Sequence, residues 1–270
     1  MPILNKDMSL CISLSGRPSN IGTRFHNYLY DELGLDFIYK AFSTDDLPGA
    51  IAGVRALGIR GCSVSMPFKE EVMELVDEIE PSAKAIDSVN TIVNNGGRLV
   101  ASNTDFEAIA ALIARHGLDV RSSVLVRGSG GMAKAVVAAF REAGFSDLTV
   151  LARNEGSGQP LADKYGYRFT TVDPAPGHQI LVNVTPLGMD GAQAETLSFT
   201  AGHLASAQSI FDVVAFPSET PLIRAARDAG KQVITGAEVI ALQAAAQFEK
   251  YTGQALTEDQ VLRASEFSRQ

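Results

Sequence analysis

The fold is decided by the stretch Ser123-Val-Leu-Val-Arg-Gly-Ser-Gly-Gly-Met-Ala133, which has the form G-x-G-x-x-A from Gly128 onward. The apolar residues before the glycines predict a buried strand, and residues 132–143 predict a helix. Gly128 permits a tight turn, Gly130 lets the backbone approach a ligand closely, and Ala133 is small enough for close helix–strand packing. Because the amides that open a helix favour an anion, the stretch predicts a site for the pyrophosphate of a nicotinamide dinucleotide.

Short apolar runs alternate with helical patterns on both sides of this stretch, which is typical of an α/β fold with a mainly parallel sheet. Strands are predicted at residues 10–14, 37–42, 60–65, 90–93, 98–101, 123–126, 147–152, 180–183, 209–214 and 232–234. Helices are predicted at 47–57, from Pro67 through Ile79, at 106–116, 132–143, 238–251 and 258–268, and around Phe25, Leu29 and Leu33.

The length of 270 residues favours two domains of medium size. We expect the first domain at residues 1–105, completed by the C-terminal helices at 238–270. The second domain is expected at residues 106–237 and contains the glycine-rich stretch. Residues 159–177 are expected to form a variable edge of this second domain.

Composition excludes several classes of protein. Hydrophobic residues make up 46% of the chain and charged residues 20%, as in ordinary globular proteins, and the net charge is −8. An acidic chain is a poor general partner for nucleic acid or an anionic membrane. The two cysteines, Cys11 and Cys62, have neither metal-site nor disulfide spacing, so we expect buried thiols and no metal. Without a signal peptide or membrane span, a cytoplasmic location is expected.

The residues after the strand at 147–152 indicate which dinucleotide is bound. NAD sites usually place Asp or Glu there against the ribose 2′-hydroxyl, whereas NADP sites place Arg. This chain has Leu151-Ala-Arg153-Asn-Glu155, and the planar charge of Arg153 suits a 2′-phosphate. The sequence therefore favours NADP, while the nearby Glu155 keeps NAD possible.

The stretch Gly61-Cys-Ser-Val-Ser-Met-Pro-Phe-Lys-Glu70 places Lys69 in the first turn of the helix expected after the strand at 60–65. A helix dipole disfavours a cation at that position. Lys69 is therefore a candidate for proton transfer, with an ordinary surface lysine as the alternative.

Two further polar residues have both a structural and a functional interpretation. Asp105 in Asn103-Thr-Asp105 precedes a predicted helix, so it could be an N-cap rather than a catalytic group. Asn90 could likewise be a turn residue at a strand end. Local pattern does not separate these alternatives.

Taken together, the motifs resemble those of the shikimate dehydrogenase family, and specifically its shikimate dehydrogenase-like branch. Residues 63–70 resemble the family's N-V-T-x-P-x-K-E, residues 88–91 its x-x-N-T, and residues 103–105 its N-T-D. Residues 128–131 match the glycine-rich loop, 183–189 the N-x-T-x-x-G-M segment and 243–245 the Q-A-A. The matches occur in the family's order and span nearly the whole chain.

The resemblance implies a substrate domain and a Rossmann-type NADP domain flanking a cleft, with NADPH-dependent reduction of 3-dehydroshikimate to shikimate in aromatic amino acid biosynthesis. It implies that Lys69 and Asp105 form the catalytic pair. Ring hydroxyls would be bound by Ser65, Asn90 and Gln243. Cofactor contacts would come from Gly128, Ser129, Gly130, Gly131, Met132, Arg153, Thr185, Met189 and Gly236. A monomer or homodimer acting on a small molecule is expected.

Three segments depart from the family's pattern. The substrate loop normally has two serines that hold the substrate carboxylate, and here Asn20 and Gly22 occupy those positions, with Ser13 and Ser15 as nearby substitutes. Ala215 stands where the family usually has a carboxylate-binding Tyr. The loop at 153–157 lacks the family's second basic residue.

These departures leave two alternatives open. One is a quinate or aminoshikimate-type dehydrogenase with relaxed use of NAD and NADP. The other is a dinucleotide-binding regulatory protein of low turnover, against which the presence of both Lys69 and Asp105 argues.

Overall fold

The computed structural model describes residues 4–270. The chain forms two compact units: unit 1 comprises Met1–Glu107 and Ala241–Gln270, and unit 2 comprises Ala108–Ile240. Within the described residues, no helix is both long and apolar enough to cross a membrane.

Helices and strands alternate along most of the chain. Up to residue 115 they are β1 (Ser9–Leu14), α1 (Ile21–Glu32), β2 (Phe37–Phe42), α2 (Leu47–Ala56), β3 (Gly61–Val64), a 3-10 helix (Glu71–Leu75), β4 (Glu78–Ile79), α3 (Pro81–Lys84), β5 (Thr91–Asn95), β6 (Arg98–Ser102) and α4 (Thr104–Arg115). There follow β7 (Val124–Arg127), α5 (Gly131–Glu142), β8 (Leu148–Leu151), α6 (Glu155–Tyr165), β9 (Arg168–Thr170), β10 (Ile180–Asn183), α7 (Ala201–Ser206), β11 (Ser209–Asp212), α8 (Pro221–Asp228), β12 (Gln232–Thr235), α9 (Gly236–Thr252) and α10 (Glu258–Ser268).

Unit 1 contains a mixed sheet of order β2-β1-β3-β5-β6-β4. Strand β1 is parallel to β2 and β3, with Ser13 opposite Ser63. The strands predicted at 90–93 and 98–101 correspond to β5 and β6, which form an antiparallel hairpin, and β5 also runs antiparallel to β3. The carboxyl ends of β1, β3 and β6 therefore lie at the same edge of the sheet as the start of β5.

The prediction of a helix from Pro67 through Ile79 is wrong. A turn, the 3-10 helix and β4 occupy that segment. Asp77 explains the difference, because its N–H donates to the carbonyl of Leu99 (3.0 Å) and its carboxylate accepts from the N–H of Leu99 (2.7 Å). These bonds join the segment to the sheet beside β6, and long-range pairing overrides the local helical pattern.

Both faces of the unit 1 sheet are covered by apolar side chains. One face packs against Ile51 and Val54 of α2, and the other against aromatic residues of α1 and α9. Gly61 is required by this packing, since a Cβ there would lie 2.3 Å from the ring of Tyr251.

His26 belongs to this second core and is fully buried. Its ring stacks on Tyr39, with centroids 4.4 Å apart and planes at 6°, and neither ring nitrogen has a hydrogen-bond partner among the described residues. Burial lowers the pKa of His26 to about 3, because the charged form would lose its hydration. At neutral pH this histidine is an uncharged core ring.

Unit 2 contains a parallel sheet of order β12-β11-β10-β7-β8-β9. This is the Rossmann arrangement, in which the strand order reverses between β7 and β10. Ligands of such sheets bind beyond the carboxyl ends of the strands at that reversal. The prediction of an α/β fold with a Rossmann-type domain is confirmed.

The expected variable edge of unit 2 contains regular structure. Helix α6 forms although Gly156, Gly158 and Pro160 all have low helical propensity. Gly158 is needed for packing, because a Cβ there would lie 2.2 Å from the ring of Phe169 in β9. Tertiary contact, rather than local preference, thus stabilises this edge.

Candidate functional site

Polar residues from four segments gather at one edge of the unit 1 sheet. Ser15 follows β1, Ser65 follows β3, Asn90 precedes the antiparallel β5, and Asp105 follows β6. The N–H of Ser65 donates to the carbonyl of Leu14 at 2.9 Å, which joins two of these segments directly. The topology therefore brings together residues that are far apart in the sequence.

The main feature of this edge is an ion pair. Lys69 Nζ lies 2.6 Å from Asp105 Oδ2, and the two side chains are 27% and 10% exposed. The carbonyl of Lys69 accepts a hydrogen bond from the N–H of Val89 at 2.8 Å, which fixes its backbone beside β5. Lys69 lies in the turn before Glu71–Leu75, not in a regular helix, so the expected helix dipole does not act on it.

Asp105 is not an N-cap. The N-cap contact is made by Asn103, whose Oδ1 accepts from the N–H of Phe106 at 3.1 Å. Asp105 lies within the first turn of α4, where the helix dipole favours a carboxylate. Its side chain is therefore available for Lys69.

Asn90 is buried and hydrogen-bonded rather than being a surface turn residue. Its Oδ1 accepts from the N–H of Thr104 at 2.8 Å and from the hydroxyls of Thr104 and Thr91 at 3.1 and 2.8 Å. These bonds connect the start of β5 to the start of α4 and so help to place Asp105.

Helix α9 contributes a residue that the sequence did not single out. Gln247 is buried, and its Nε2 donates to Thr91 Oγ1 at 2.9 Å and to Ser63 Oγ and the carbonyl of Asn90 at 3.3 Å each. The predicted Gln243 lies one turn earlier and is half-buried. The i, i+4 spacing puts both on one helix face.

Between the end of β1 and the first turn of α1, the polar groups differ from those of the family's motif. Ser13 is half-buried in β1, while Ser15 is buried and its Oγ has no partner among the described residues. Asn20 is exposed at the start of α1 and makes no side-chain cap bond. A Cβ on Gly22 would lie 3.6 Å from the hydroxyl of Tyr39, which is an ordinary contact, so a larger residue fits there.

The glycine-rich loop of unit 2 has the conformation that its sequence predicts. Gly128 has φ +121°, and a Cβ there would lie 2.8 Å from Val184 Cγ2, so only glycine fits. In contrast, a Cβ on Gly130 or Gly131 would meet nothing within 4 Å, which leaves open space before the first turn of α5. Such a space next to helix amides suits a phosphate group.

A cavity of about 1060 Å³ lies beside this loop in unit 2. Five predicted cofactor residues line it: Gly128, Ser129, Gly130, Arg153 and Thr185. Four others lie outside its lining: Gly131, Met132, Met189 and Gly236. The cavity also has two lining residues that sequence reasoning missed, Arg127 and Asp173, which form an ion pair.

Predicted residues outside that lining have other surroundings. Met189 is 46% exposed. Gly236 opens α9, where a Cβ would lie 2.3 Å from the carbonyl oxygen of Val214, so close packing requires glycine there.

A buried carboxyl group supports the loop that contains Thr185. Thr185 Oγ1 donates to Asn183 Oδ1 at 2.6 Å, and Asn183 Nδ2 donates to Asp212 Oδ1 at 3.0 Å. Burial raises the pKa of Asp212 to about 6, although hydrogen bonds from Thr220, Val214 and Asn183 oppose the rise. Asp212 was not among the predicted site residues. Its position at the carboxyl end of β11 is the signal that could have identified it.

No group of three or more metal-ligating side chains is found in residues 4–270.

The chain is similar to known proteins over its whole length. Residues 20–92 match the shikimate dehydrogenase substrate binding domain. A "shikimate dehydrogenase-like protein" of Haemophilus influenzae is 57% identical over 99% of both chains. The "shikimate dehydrogenase (NADP(+))" of Chlorobaculum tepidum is 37% identical over 87% of both.

Solved structures show the same relationship. A shikimate 5-dehydrogenase-like protein superposes with a TM-score of 0.97 at 56% identity, covering 99% of this chain and 100% of that one. The shikimate 5-dehydrogenase of Thermus thermophilus, solved with NADP(H) and shikimate, gives 0.87 at 28% identity, covering 97% and 100%. The chain therefore belongs to the shikimate dehydrogenase family, in its shikimate dehydrogenase-like branch.

Proposed function

We propose that the chain is an NADP-dependent oxidoreductase that reversibly reduces 3-dehydroshikimate, or a close cyclic hydroxy-acid analogue, to shikimate. The observation that carries the proposal is the Lys69–Asp105 ion pair, 2.6 Å long, among polar residues at one edge of the unit 1 sheet. Relatives named as NADP(+)-dependent shikimate dehydrogenases support it.

The residues of unit 2 fit a dinucleotide. Open space in front of Gly130 and Gly131 accepts the pyrophosphate, and the cavity beside them is large enough for an adenosine. Arg153 lines that cavity and suits a 2′-phosphate. The bound dinucleotide would supply the hydride that reduces the substrate's carbonyl carbon.

Lys69 would be the group that donates and accepts the proton. In reduction, Nζ of Lys69 gives a proton to the C3 oxygen as that oxygen changes from carbonyl to hydroxyl; in oxidation, Nζ takes the proton back. Asp105 orients Nζ through the 2.6 Å contact and accepts a hydrogen bond from the same hydroxyl. Ser65, Asn90 and Gln243 would hold the other ring hydroxyls, and the unpartnered Ser15 Oγ would bind the acid group.

Steady-state assays test this proposal. Shikimate and quinate are each offered with NADP and with NAD, and reduction of the dinucleotide is followed. We expect NADP reduction with shikimate, and its loss in Lys69→Ala with NADPH binding retained. Failure of the wild-type chain to reduce either dinucleotide with any of these substrates would contradict the proposal.

The substrate's carboxylate has fewer partners here than the family's motif provides. Gly22 and Ala215 lack the hydroxyl groups expected at their positions. Each missing hydrogen bond to a charged group costs about 1.5–3 kcal/mol. These absences favour a related substrate, quinate or an amino-substituted analogue, as the second candidate.

Ranking kcat/KM over shikimate, quinate and an amino-substituted analogue distinguishes the two candidates. Gly22→Ser tests the missing carboxylate contact itself, because the space beside Tyr39 admits the side chain. If shikimate is the substrate, the added hydroxyl should lower KM for shikimate by about tenfold, with kcat little changed. Gly53→Ser, in α2 with open space around it, is the matched control. A wild-type kcat/KM that is higher for quinate or an amino-substituted analogue than for shikimate would support the second candidate.

A further inference from the structure

Arg127 is the last residue of β7 and directly precedes the glycine-rich loop. Its side chain is 20% exposed, and its Nη2 lies 2.6 Å from Asp173 Oδ1. The guanidinium also lies over the ring of Phe199, 5.0 Å from the centroid. A charged group at the end of an otherwise apolar strand is thus held by two contacts.

Strand register places the Arg127 guanidinium near the end of β8. Arg127 is opposite Leu151 in β8, and Leu151 is opposite Thr170 in β9. Asp173 follows β9, so the side chain of Arg127 reaches from one strand towards a segment two strands away, across about 10 Å. The end of β8, from which Arg153 emerges, lies between them. Arg127 and Arg153 both line the cavity, one from the end of β7 and the other from the segment after β8.

The ion pair leaves much of the Arg127 guanidinium unused. Nε of Arg127 is buried and has no hydrogen-bond partner among the described residues. An arginine stays charged in proteins and binds phosphate oxygens through its planar fork of donors. Because Nε is enclosed by protein, the outer Nη groups of Arg127 are the ones that can bind an anion in the cavity, while Nη2 keeps its contact with Asp173.

We propose that Arg127 is a second cation for the 2′-phosphate of NADP, acting beside Arg153, and that Asp173 holds it in place. The inference rests on the proposed use of NADP and assigns its recognition to a residue outside the loop at 153–157. That loop lacks a second basic residue, and Arg127 supplies one from the neighbouring strand. Two carboxylates, Asp173 and Glu155, line the same cavity as the two arginines, and Asp173 pairs with Arg127.

Equilibrium titration of the full chain with NADPH and with NADH, followed by nicotinamide fluorescence, tests the inference without requiring turnover. Arg127→Met keeps an apolar stem against Phe199 and removes the charge. We expect its Kd for NADPH to rise about tenfold or more, and its Kd for NADH to stay within about twofold. Asp173→Asn keeps a side-chain oxygen that can accept from Arg127 Nη2 and removes the negative charge that repels a phosphate, so it should lower the Kd for NADPH a few-fold relative to NADH.

Arg121→Met is the matched control, since Arg121 pairs with Asp119 on the surface of the same unit and does not line the cavity. It changes the net charge equally and should leave both Kd values unchanged. Equal weakening of NADPH and NADH in Arg127→Met, or no weakening, would overturn the inference. If that variant does not fold, Asp173→Asn decides, and an unchanged NADPH-to-NADH ratio overturns it. A wild-type chain that binds neither dinucleotide would instead refute the proposed function.

Discussion

Two ion pairs of equal length, one in each unit, can be compared directly. Lys69 and Asp105 approach to 2.6 Å in unit 1, as do Arg127 and Asp173 in unit 2. Both cations are largely shielded from solvent, with side chains 27% and 20% exposed. Both pairs follow the carboxyl ends of strands.

The chemistry of the cation separates the two pairs. A lysine ammonium can give up a proton, whereas a guanidinium stays charged in proteins. A Lys–Asp pair therefore suits a step in which a proton moves, and an Arg–Asp pair suits recognition of a fixed negative charge. In the proposed function, ion pairs of similar geometry would serve proton transfer in unit 1 and recognition of the cofactor's phosphate in unit 2.

The largest expected effect comes from exchanging the cation in unit 1. Lys69→Arg keeps the positive charge beside Asp105 but removes the group that transfers the proton. We expect kcat for shikimate oxidation to fall by about 10²–10⁴-fold while the Kd for NADPH stays within about twofold. Steady-state kinetics and fluorescence titration measure the two quantities.

The control for this exchange is Lys84→Arg, on the short helix α3. It should leave kcat unchanged. Activity retained in Lys69→Arg would show that charge alone suffices there, and the distinction between the two pairs would fail.

Asp212 provides a contrast to the two ion pairs, because its buried carboxyl group accepts hydrogen bonds from Asn183 and Thr220 rather than from a cation. Asp212 has a raised pKa of about 6 in the folded chain, compared with 3.8 for the ordinary group. A raised folded pKa means that this group stabilises unit 2 below pH 4 and that the contribution is lost as pH rises through 6. The difference corresponds to about 3 kcal/mol.

Asp212→Asn should remove this contribution, so the unfolding free energy of the variant minus that of wild type should increase, by up to about 3 kcal/mol, as pH rises from 4 to 7. Urea unfolding at several pH values measures it. Asp228→Asn, an exposed carboxyl at the end of α8, is the control and should keep the wild-type pH dependence. A constant difference between Asp212→Asn and wild type would contradict the assignment.

The helix that carries Asp105 provides a smaller test. Asn103 caps α4 through Phe106 and also donates to the carbonyl of Ser88 at 2.8 Å. Asn103→Ala should cost about 1–3 kcal/mol of unfolding free energy and reduce kcat more than NADPH affinity. Asn20→Ala is a matched control for stability, because Asn20 starts α1 without a side-chain cap bond. Equal losses in both variants would argue against the cap.

The smallest effect is expected from an exposed ion pair. Arg98 and Glu78 lie 2.9 Å apart, with side chains 65% and 48% exposed. Arg98→Met should change the unfolding free energy by less than about 1 kcal/mol, measured by urea unfolding. A larger loss would mean that exposure to solvent does not distinguish this surface pair from the shielded pairs Lys69–Asp105 and Arg127–Asp173.

Much of the fold follows from local sequence signals. The strands Phe37–Phe42 and Ile180–Asn183 were predicted to the residue, because each is a short, largely apolar run that begins directly after a polar residue. The glycine-rich loop was predictable for a different reason: Gly128 has a conformation and a contact with Val184 that exclude other residues.

Other parts depend on contacts that no local pattern encodes. The segment around Asp77 reads as helical, but pairing with Leu99 makes it an edge of the sheet. Gln247 and Arg127 were missed because each reads as an ordinary helix or strand residue until its distant partners are known. The pairing of Lys69 with Asp105 came from the family's motifs, whereas their separation came only from the structure.

The buried ring of His26 has a consequence for tolerance of acid. Its folded pKa of about 3 lies below the ordinary 6.5, so its contribution to stability is present above pH 6.5 and is lost as pH falls towards 3. The loss amounts to about 5 kcal/mol. Asp212 has the opposite sign, since acid favours its folded state. The two groups therefore change the stability of their own units in opposite directions as pH falls: His26 weakens unit 1, whereas Asp212 strengthens unit 2.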